Sequence, residues 1–264
     1  MGLPTISVVT PCLNARATIE QTLDSVASQD YPKIDHVIID GGSTDGCVEV
    51  LEGRPGIRFI SEPDRGLSDA VNKGFAMARG DVVGWLNADD PYLPGALEAV
   101  AATYQRNPSA DWITGRCMII DGDNRERRKA VTAYKNFMLD RYSYPLLLTN
   151  NFISAPASFV TRSAFERIGG CVESLRYAMD YDMWLKLGRL SPPVVVRQYL
   201  AAFRMIEGTL SMDNFPKQFR EHAQLGADHG QGRPVVVATN RLVSRGIVGV
   251  YHAMRLARKA RAGD

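Results

Sequence analysis

Val82-Val83-Gly84-Trp85-Leu86-Asn87-Ala88-Asp89-Asp90 joins a short apolar run to an asparagine and two carboxylates. An apolar run of this length between a glycine and a cluster of acids reads as a buried strand. Its C-terminal end then delivers Asn87, Asp89 and Asp90 to the rim of a sheet, where ligands bind in open α/β folds. Oxygen donors there suit a hard divalent cation, and such a cation suits a diphosphate. The competing reading makes Asp90 the cap of the next helix and leaves Asp89 solvated.

The surrounding elements decide whether other groups can reach that rim. Residues 6–10 read as a strand stopped by Pro11. Apolar residues at helical spacing mark 18–27 as a helix, and 36–40 is a second strand. The Gly-rich turn 41–46 follows, with Ser43 or Thr44 as a candidate helix cap. A third strand spans 58–61, a helix spans 67–78 and closes towards Gly80, and the strand 82–86 is the fourth. Pro94 then opens a helix that runs to about Tyr104, at a position that tolerates proline. Strand and helix alternate four times, which predicts a parallel sheet with right-handed crossovers. Pro11, Asp40 and Asp89 all fall at or just after strand ends, so one rim could gather them.

Beyond Trp112 the alternation weakens. Residues 113–120 read as a strand and 121–124 as a turn. The basic run 125–129 reads as a solvated hairpin flank or a phosphate contact. Residues 136–148 are aromatic and apolar, fitting a helix or a lining for an acceptor. A strand at 157–160, a short helix at 163–168 ended by two glycines, a helix at 182–190 and a strand at 194–197 complete this part.

The chain has 264 residues, 45% hydrophobic and 23% charged, which suffices for one large domain with an appendage. A formal net charge of +2 gives no reason to expect a nucleic-acid partner. The four cysteines lie far apart in sequence with no CxxC, so reduced thiols in a cytoplasmic protein are expected rather than structural zinc. Neither a signal peptide nor a run of roughly 20 apolar residues is visible. In the tail, Val243, Ile247, Val250, Met254 and Ala257 form one helical stripe. Arg241, Arg245, His252, Arg255 and Lys259 fall on the other side. Such a helix packs on protein, in this chain or a homodimer, or lies peripherally on the inner face of an anionic membrane.

Taken together, Val9-Thr10-Pro11-Cys12-Leu13-Asn14, the block 39–46, the block 62–74, Leu86-Asn87-Ala88-Asp89-Asp90 and the block 177–185 resemble glycosyltransferase family 2. The resemblance covers roughly residues 4–205 and points towards bacterial enzymes that build surface polysaccharides or glycolipids, such as O-antigen transferases. It implies an α/β GT-A (Rossmann-like) fold: a mostly parallel central sheet flanked by helices, with a C-terminal helical appendage. Residues 1–205 would be the catalytic domain, with a nucleotide-binding half (1–106) and an acceptor-binding half (107–205), and 206–264 the helical extension.

The family's roles transfer by position. Thr10, Pro11 and Asn14 resemble the loop that packs on the nucleotide. Asp40 resembles the acceptor for the base N–H, a task suited to an ionised carboxylate. Gly41 stands where the family often has a second acid. Asp64 and Arg65 resemble the loop beside the diphosphate, with Asp69, Asn72 and Lys73 on the next helix. Asp69 reads equally as charge complementarity at a helix N-terminus. Asn87, Ala88 and Asp89 resemble the metal-binding motif, with Asn87 replacing its first acid and Asp89 left to ligate Mn²⁺ or Mg²⁺. Met179-Asp180 resembles the pair that supplies the catalytic base, which leaves Asp180 for that role. Asp182 is the second candidate, although it also reads as a helix cap.

The resemblance implies an inverting, metal-dependent transfer from a nucleotide-sugar donor to a sugar or lipid-linked acceptor. A uridine diphosphate donor is the family's commonest choice. Two alternatives are a non-catalytic binder that kept the fold and, less well supported, a sugar-nucleotide pyrophosphorylase. The latter needs a Gly-rich basic loop after the first strand, which residues 11–15 lack. No GxGxxG follows that strand, which argues against a dinucleotide-dependent dehydrogenase. No Gln-x-x-Arg-Trp pattern marks a processive synthase.

Overall fold

The computed structural model describes residues 2–206 and 214–262, with side chains described at all of these except 215 and 250–262. Eight strands form one mixed sheet. They are β1 (Ile6–Cys12), β2 (Ile34–Asp40), β3 (Ile57–Ser61), β4 (Val82–Trp85), β5 (Trp112–Ile120), β6 (Glu126–Arg127), β7 (Ser158–Thr161) and β8 (Val194–Arg204). Their order is β3-β2-β1-β4-β7-β5-β6, and β8 also pairs with β5. Strands β1 to β4 are mutually parallel, β7 runs against both β4 and β5, and β8 runs parallel to β5.

That topology builds the rim. The C-terminal ends of β1, β2, β4, β5 and β8 point the same way. Because β7 is reversed, its first residue, Ser158, lies at this same rim beside the end of β4. The segment that leads into β7 is therefore brought to the acids that follow the parallel strands.

The helices are α1 (Ile19–Ala27), α2 (Cys47–Glu52), α3 (Leu67–Met77), α4 (Ala96–Arg106), α5 (Lys129–Leu139), α6 (Tyr144–Thr149), α7 (Arg162–Arg167) and α8 (Met179–Leu190). Two more form the extension, α9 (Phe215–His229) and α10 (Pro234–Ala262). Helix α3 crosses β1 so closely that a Cβ at Gly74 would fall 2.1 Å from Val9 Cγ1. Only glycine allows that approach, and it sets the height of the β3–α3 loop above the rim.

Several sequence expectations are corrected here. Pro11 does not stop β1, which continues to Cys12. The Val9 carbonyl faces β4 and the Cys12 carbonyl faces Gly41 beyond β2, so alternation turns the Pro11 nitrogen towards β4 beyond its last paired residue. No ladder donor is lost there. Helix α4 starts at Ala96, behind a left-handed Gly95, rather than at Pro94. Neither Ser43 nor Thr44 caps α2: the helix follows a left-handed Gly46, and Asp45 accepts the Cys47 N–H. Residues 136–148 split between α5 and α6. The last strand runs on from 197 to Arg204, because β5 offers it a long parallel edge. The basic run 125–129 forms a hairpin flank with local partners, Arg125 on Asp123, Arg127 on Asp121 and Lys129 on Glu126.

The largest core lies under the second half of the sheet. Trp112 and Trp184 stack with centroids 5.6 Å apart, both fully buried. Leu225 of α9 is buried in the same cluster and Val236 of α10 packs against it, so the extension shares the core. Among the described side chains of α10, Asn240 and Ser244 are buried and Val243 and Ile247 half-buried, while Arg241 and Arg245 are exposed. The side chains of Val250, Met254, Ala257, His252, Arg255 and Lys259, on which the remaining stripe and basic side were expected, lie outside those described.

Candidate active site

The turn after β2 is organised by Asp40. Its carboxylate accepts from the N–H groups of Gly42 and Ser43 (3.1 and 3.0 Å), from the Ser43 hydroxyl, and from Ser61 Oγ (2.7 Å). Burial pushes this acid up, but the hydroxyl and amide donors outweigh it and hold Asp40 below the usual carboxylate range. The side chain expected to meet a nucleobase is thus enclosed in its own turn. Asp64 stands beside it: a Cβ at Gly41 would fall 2.5 Å from Asp64 Oδ2. The missing second acid at position 41 is therefore the room that Asp64 needs. Asn14 ties two loops together, donating its N–H to Ser43 Oγ and accepting the Thr44 N–H.

On α3, Asp69 is nearly buried yet ionised. It accepts from the Arg65 guanidinium (2.9 Å) and the Arg65 N–H (3.0 Å), and Lys73 Nζ lies 3.3 Å away. The Arg65 contacts, first, pull it down to about 2. Asp69 thereby fixes two cations, Arg65 and Lys73, on one face at the rim, and Glu62 holds Lys73 from the other side at 2.7 Å.

Three residues expected to contact the nucleotide have protein partners of their own. The Thr10 hydroxyl is buried and bonded to His36 Nε2 at 2.9 Å. Both ends of the Asn72 amide are engaged by the Cys171 backbone at 2.9 Å. The Ala88 methyl is buried among Cys12, Ile19 and Leu23.

After β4, the Asn87 amide oxygen accepts the Trp85 indole N–H at 2.9 Å, and its NH₂ donates to Asp90 at 3.0 Å. Asn87 is a brace for this turn. Asp90 caps no helix. It is fully buried and accepts the Arg204 N–H at 2.8 Å. Asp89 is half-exposed, and among the described residues no side chain donates to its carboxylate. Burial pushes it up, and the charge of Arg204 only partly opposes this. An acid left in that condition is one a divalent cation would relieve, so the donor set fits a hard metal at Asp89.

The only cluster of metal-type ligands among the described residues lies elsewhere, at Cys12, Asp40 and Cys47. Its chemistry does not suit Mg²⁺ or Mn²⁺. Burial holds both thiols protonated, and Asp40 is already saturated. The two cysteines, distant in sequence, are free thiols 3.1 Å apart.

Asp180 sits in the first turn of α8. One oxygen accepts the Tyr181 N–H at 2.7 Å and the other the Asn151 amide at 3.1 Å. Burial pushes its pKa up, against these two donors and the charge of Lys135. Met179 is buried in the core, so an acid there would point away from the rim. Asp182 is not a cap, because α8 starts three residues earlier. It bonds Lys186 at 2.7 Å and His229 at 2.8 Å and is committed to the extension.

Three residues that sequence reasoning missed connect these parts. Arg204 closes β8 and donates to the Asp89 carbonyl (2.7 Å), the Asp121 carbonyl (3.0 Å) and Gln21 Oε1 (2.7 Å). Asn151 lies in the segment leading to β7. Lys135 of α5 bonds Ser154 at 2.7 Å and feels the charge of Asp180. Cys117 of β5 lies near both Lys135 and Asp90, and burial pushes its thiol up. A charged residue ending the apolar run 199–203 was the available signal for Arg204; nothing local marked the other two.

Comparison with known proteins identifies the family. The profile of Glycosyl transferase family 2 matches residues 7–169. The chain is 32% identical over 206 residues to an uncharacterized glycosyltransferase of Mycobacterium tuberculosis, covering 76% of this chain and 75% of that one. It is 28% identical over 198 residues to the chondroitin synthase of Escherichia coli, covering 72% of this chain but only 27% of that longer protein. Among solved structures, Staphylococcus aureus TarS 1-349 in complex with UDP-GlcNAc superposes with a TM-score of 0.68 at 18% identity, over 91% of this chain and 72% of that one. The mannosyltransferase PcManGT of Pyrobaculum calidifontis, in complex with GDP-Man and Mn²⁺, gives 0.66 at 18%, over 99% and 83%. With the family profile matched across more than half its length, the chain belongs to glycosyltransferase family 2 and has the GT-A fold.

Proposed function

We propose that the protein transfers a sugar from a nucleotide-sugar donor to a hydroxyl acceptor with inversion at the anomeric carbon, and that Asp180 is the base. The observation that carries this reading is the Asp180 carboxylate. It is held at the rim by Asn151, and burial raises its proton affinity to suit general-base work. The acceptor O–H gives its proton to Asp180 as its oxygen bonds to the anomeric carbon. The bond from that carbon to the diphosphate oxygen breaks, and the nucleoside diphosphate leaves with the electron pair. Arg65 and Lys73, fixed by Asp69, face the leaving diphosphate, while Pro11, Asn14, Asp40 and Asp64 frame the nucleoside. Asp89 would hold a divalent cation, Mn²⁺ or Mg²⁺, whose charge offsets that of the departing diphosphate when it is bound.

Solved neighbours bind UDP-GlcNAc and GDP-Man, so both donor bases belong in the first screen. Matches to chondroitin and hyaluronan synthases support an acceptor in surface polysaccharide or glycolipid assembly. No helix among the described residues is long and apolar enough to cross a membrane. Helix α10 does expose Val235 and Leu242, with Arg241 and Arg245 exposed near Leu242, which supports peripheral contact with an anionic surface.

Release of nucleoside diphosphate from the donor that gives the largest thermal shift with Mn²⁺ tests the reading. Asp180→Asn should keep donor affinity and lower turnover about 10²–10⁴-fold. Near-normal turnover would remove Asp180 from the base role. Tight binding by the wild type without any turnover would favour a non-catalytic binder.

A further inference from the structure

The first turn of α8 carries Asp180 but no cap of its own. Its N-cap position is Ala178, whose methyl accepts nothing, and the residues before it are Arg176 and Tyr177. A helix start leaves backbone N–H groups without intrahelical partners. Here a carboxylate from α9 takes the one at the N-cap, together with the two N–H groups that lead into it. Glu221 Oε2 accepts the N–H groups of Tyr177 (2.8 Å) and Ala178 (3.0 Å), and Oε1 accepts that of Arg176 at 3.3 Å. A negative group at that point also opposes the positive end of the α8 dipole.

The rest of α9 and α10 grips the same turn. Gln218 donates to the Tyr177 carbonyl at 3.3 Å, and His222 lies against the Tyr181 ring, centroids 4.8 Å apart. Asn240 donates to the Leu148 carbonyl of α6 at 2.9 Å, next to the Leu147 carbonyl that accepts the Tyr181 hydroxyl at 2.9 Å.

We infer that Glu221 is a positioning residue for the transfer reaction and that the C-terminal extension is the clamp that aims Asp180. The inference rests on the assignment of Asp180 as base. With Glu221 in place, the N–H groups ahead of α8 are satisfied from outside. Asp180 then needs to cap only Tyr181, with one oxygen, and its other oxygen stays turned to Asn151 and the rim. Without Glu221, those N–H groups lose their acceptor, and the turn that carries Asp180 is free to rotate it away from the substrate hydroxyl.

The test compares wild type, Glu221→Ala, Glu221→Gln and Asp180→Asn in donor turnover with Mn²⁺. Donor KM and the thermal unfolding midpoint are measured on each variant. Glu221→Ala should lower kcat about tenfold, the effect of losing one good helix cap on a reacting geometry, with donor KM unchanged. Glu221→Gln keeps one oxygen able to accept from both Tyr177 and Ala178, so it should recover most of that loss. If Glu221→Ala does not fold, the glutamine variant and Glu221→Asp carry the test, with aspartate, one carbon too short, showing the lower kcat. Wild-type kcat in Glu221→Ala overturns the inference. So does a glutamine variant as slow as the alanine one, or a kcat loss that only tracks the midpoint across variants. Asp180→Asn separates the two levels: turnover retained there removes the assigned base and the clamp with it, whereas turnover lost there beside normal Glu221 variants removes the clamp alone.

Discussion

Two parts of the rim hold their acids in different ways. Around β2, β3 and α3 the carboxylates are fixed from within that region: Asp40 by its own turn and Ser61, Asp69 by Arg65 and Lys73, Asp64 by the Gly66 N–H. After β4 and at the start of α8, partners come from far along the chain. Asp180 is met by Asn151, 29 residues back, and Arg204 reaches the Asp89 carbonyl across 115. The electrostatics divide along a similar line. The locally saturated acids Asp40 and Asp69 are depressed, whereas Asp89 and Asp180, which face the rim with fewer donors, are raised by burial. Local saturation builds a rigid frame. Incomplete, long-range saturation leaves acids poised for a cation or a proton.

Breaking the longest-range connection should cost most. Arg204→Leu removes the only cation buried against Asp89 and Asp90 among the described residues. It should lower stability by about 3–5 kcal/mol, seen as a lower urea midpoint. A local packing change in the first half should cost less. Gly74→Ala forces a Cβ into Val9, and strain of this kind is worth about 1–3 kcal/mol, read as a lower thermal midpoint.

The pH dependence should separate the acids. Asp69 is depressed to about 2, so its contribution to stability is full above the usual carboxylate range and is lost as pH falls towards about 2. Asp69→Asn should flatten the unfolding profile in that acid window, with its loss of stability largest at neutral pH and vanishing as pH falls towards about 2. Asp180 is shifted the other way, so the acid limb of turnover should lie above the usual carboxylate range. Lys135 lowers the Asp180 pKa, so Lys135→Met should move that limb to higher pH. An unmoved limb would disconnect Lys135 from the base. The smallest effect belongs to the surface of α10: Leu242→Asp should change stability by less than about 0.5 kcal/mol, while reducing co-sedimentation with anionic vesicles.

What was legible in the sequence follows the same divide. Strands β1 to β4 and the rim positions of Asp40 and Asp89 could be read because βαβ units repeat and each strand is a short apolar run ended by acids. The purpose of Gly41 could not be read, because the Asp64 carboxylate that fills its space belongs to another loop. The protein partners of Thr10 and Asn72 could not be read, because His36 and the Cys171 backbone are distant in sequence. In the second half, the reversal of β7 brings Asn151 beside Asp180, and no periodicity within residues 150–161 marks that reversal. Asp182 looked like a cap because Ala178 gives no sign of a helix start when its cap comes from another helix.

The central claim is that acids from both halves of the sheet meet around one donor. A crystal structure of the protein soaked with Mn²⁺ and the nucleotide sugar that stabilises it most tests this directly. The account predicts the metal bound to the Asp89 carboxylate and to the diphosphate, with the anomeric carbon facing Asp180. A donor bound with its diphosphate away from Asp89, or with its sugar turned from Asp180, would contradict it.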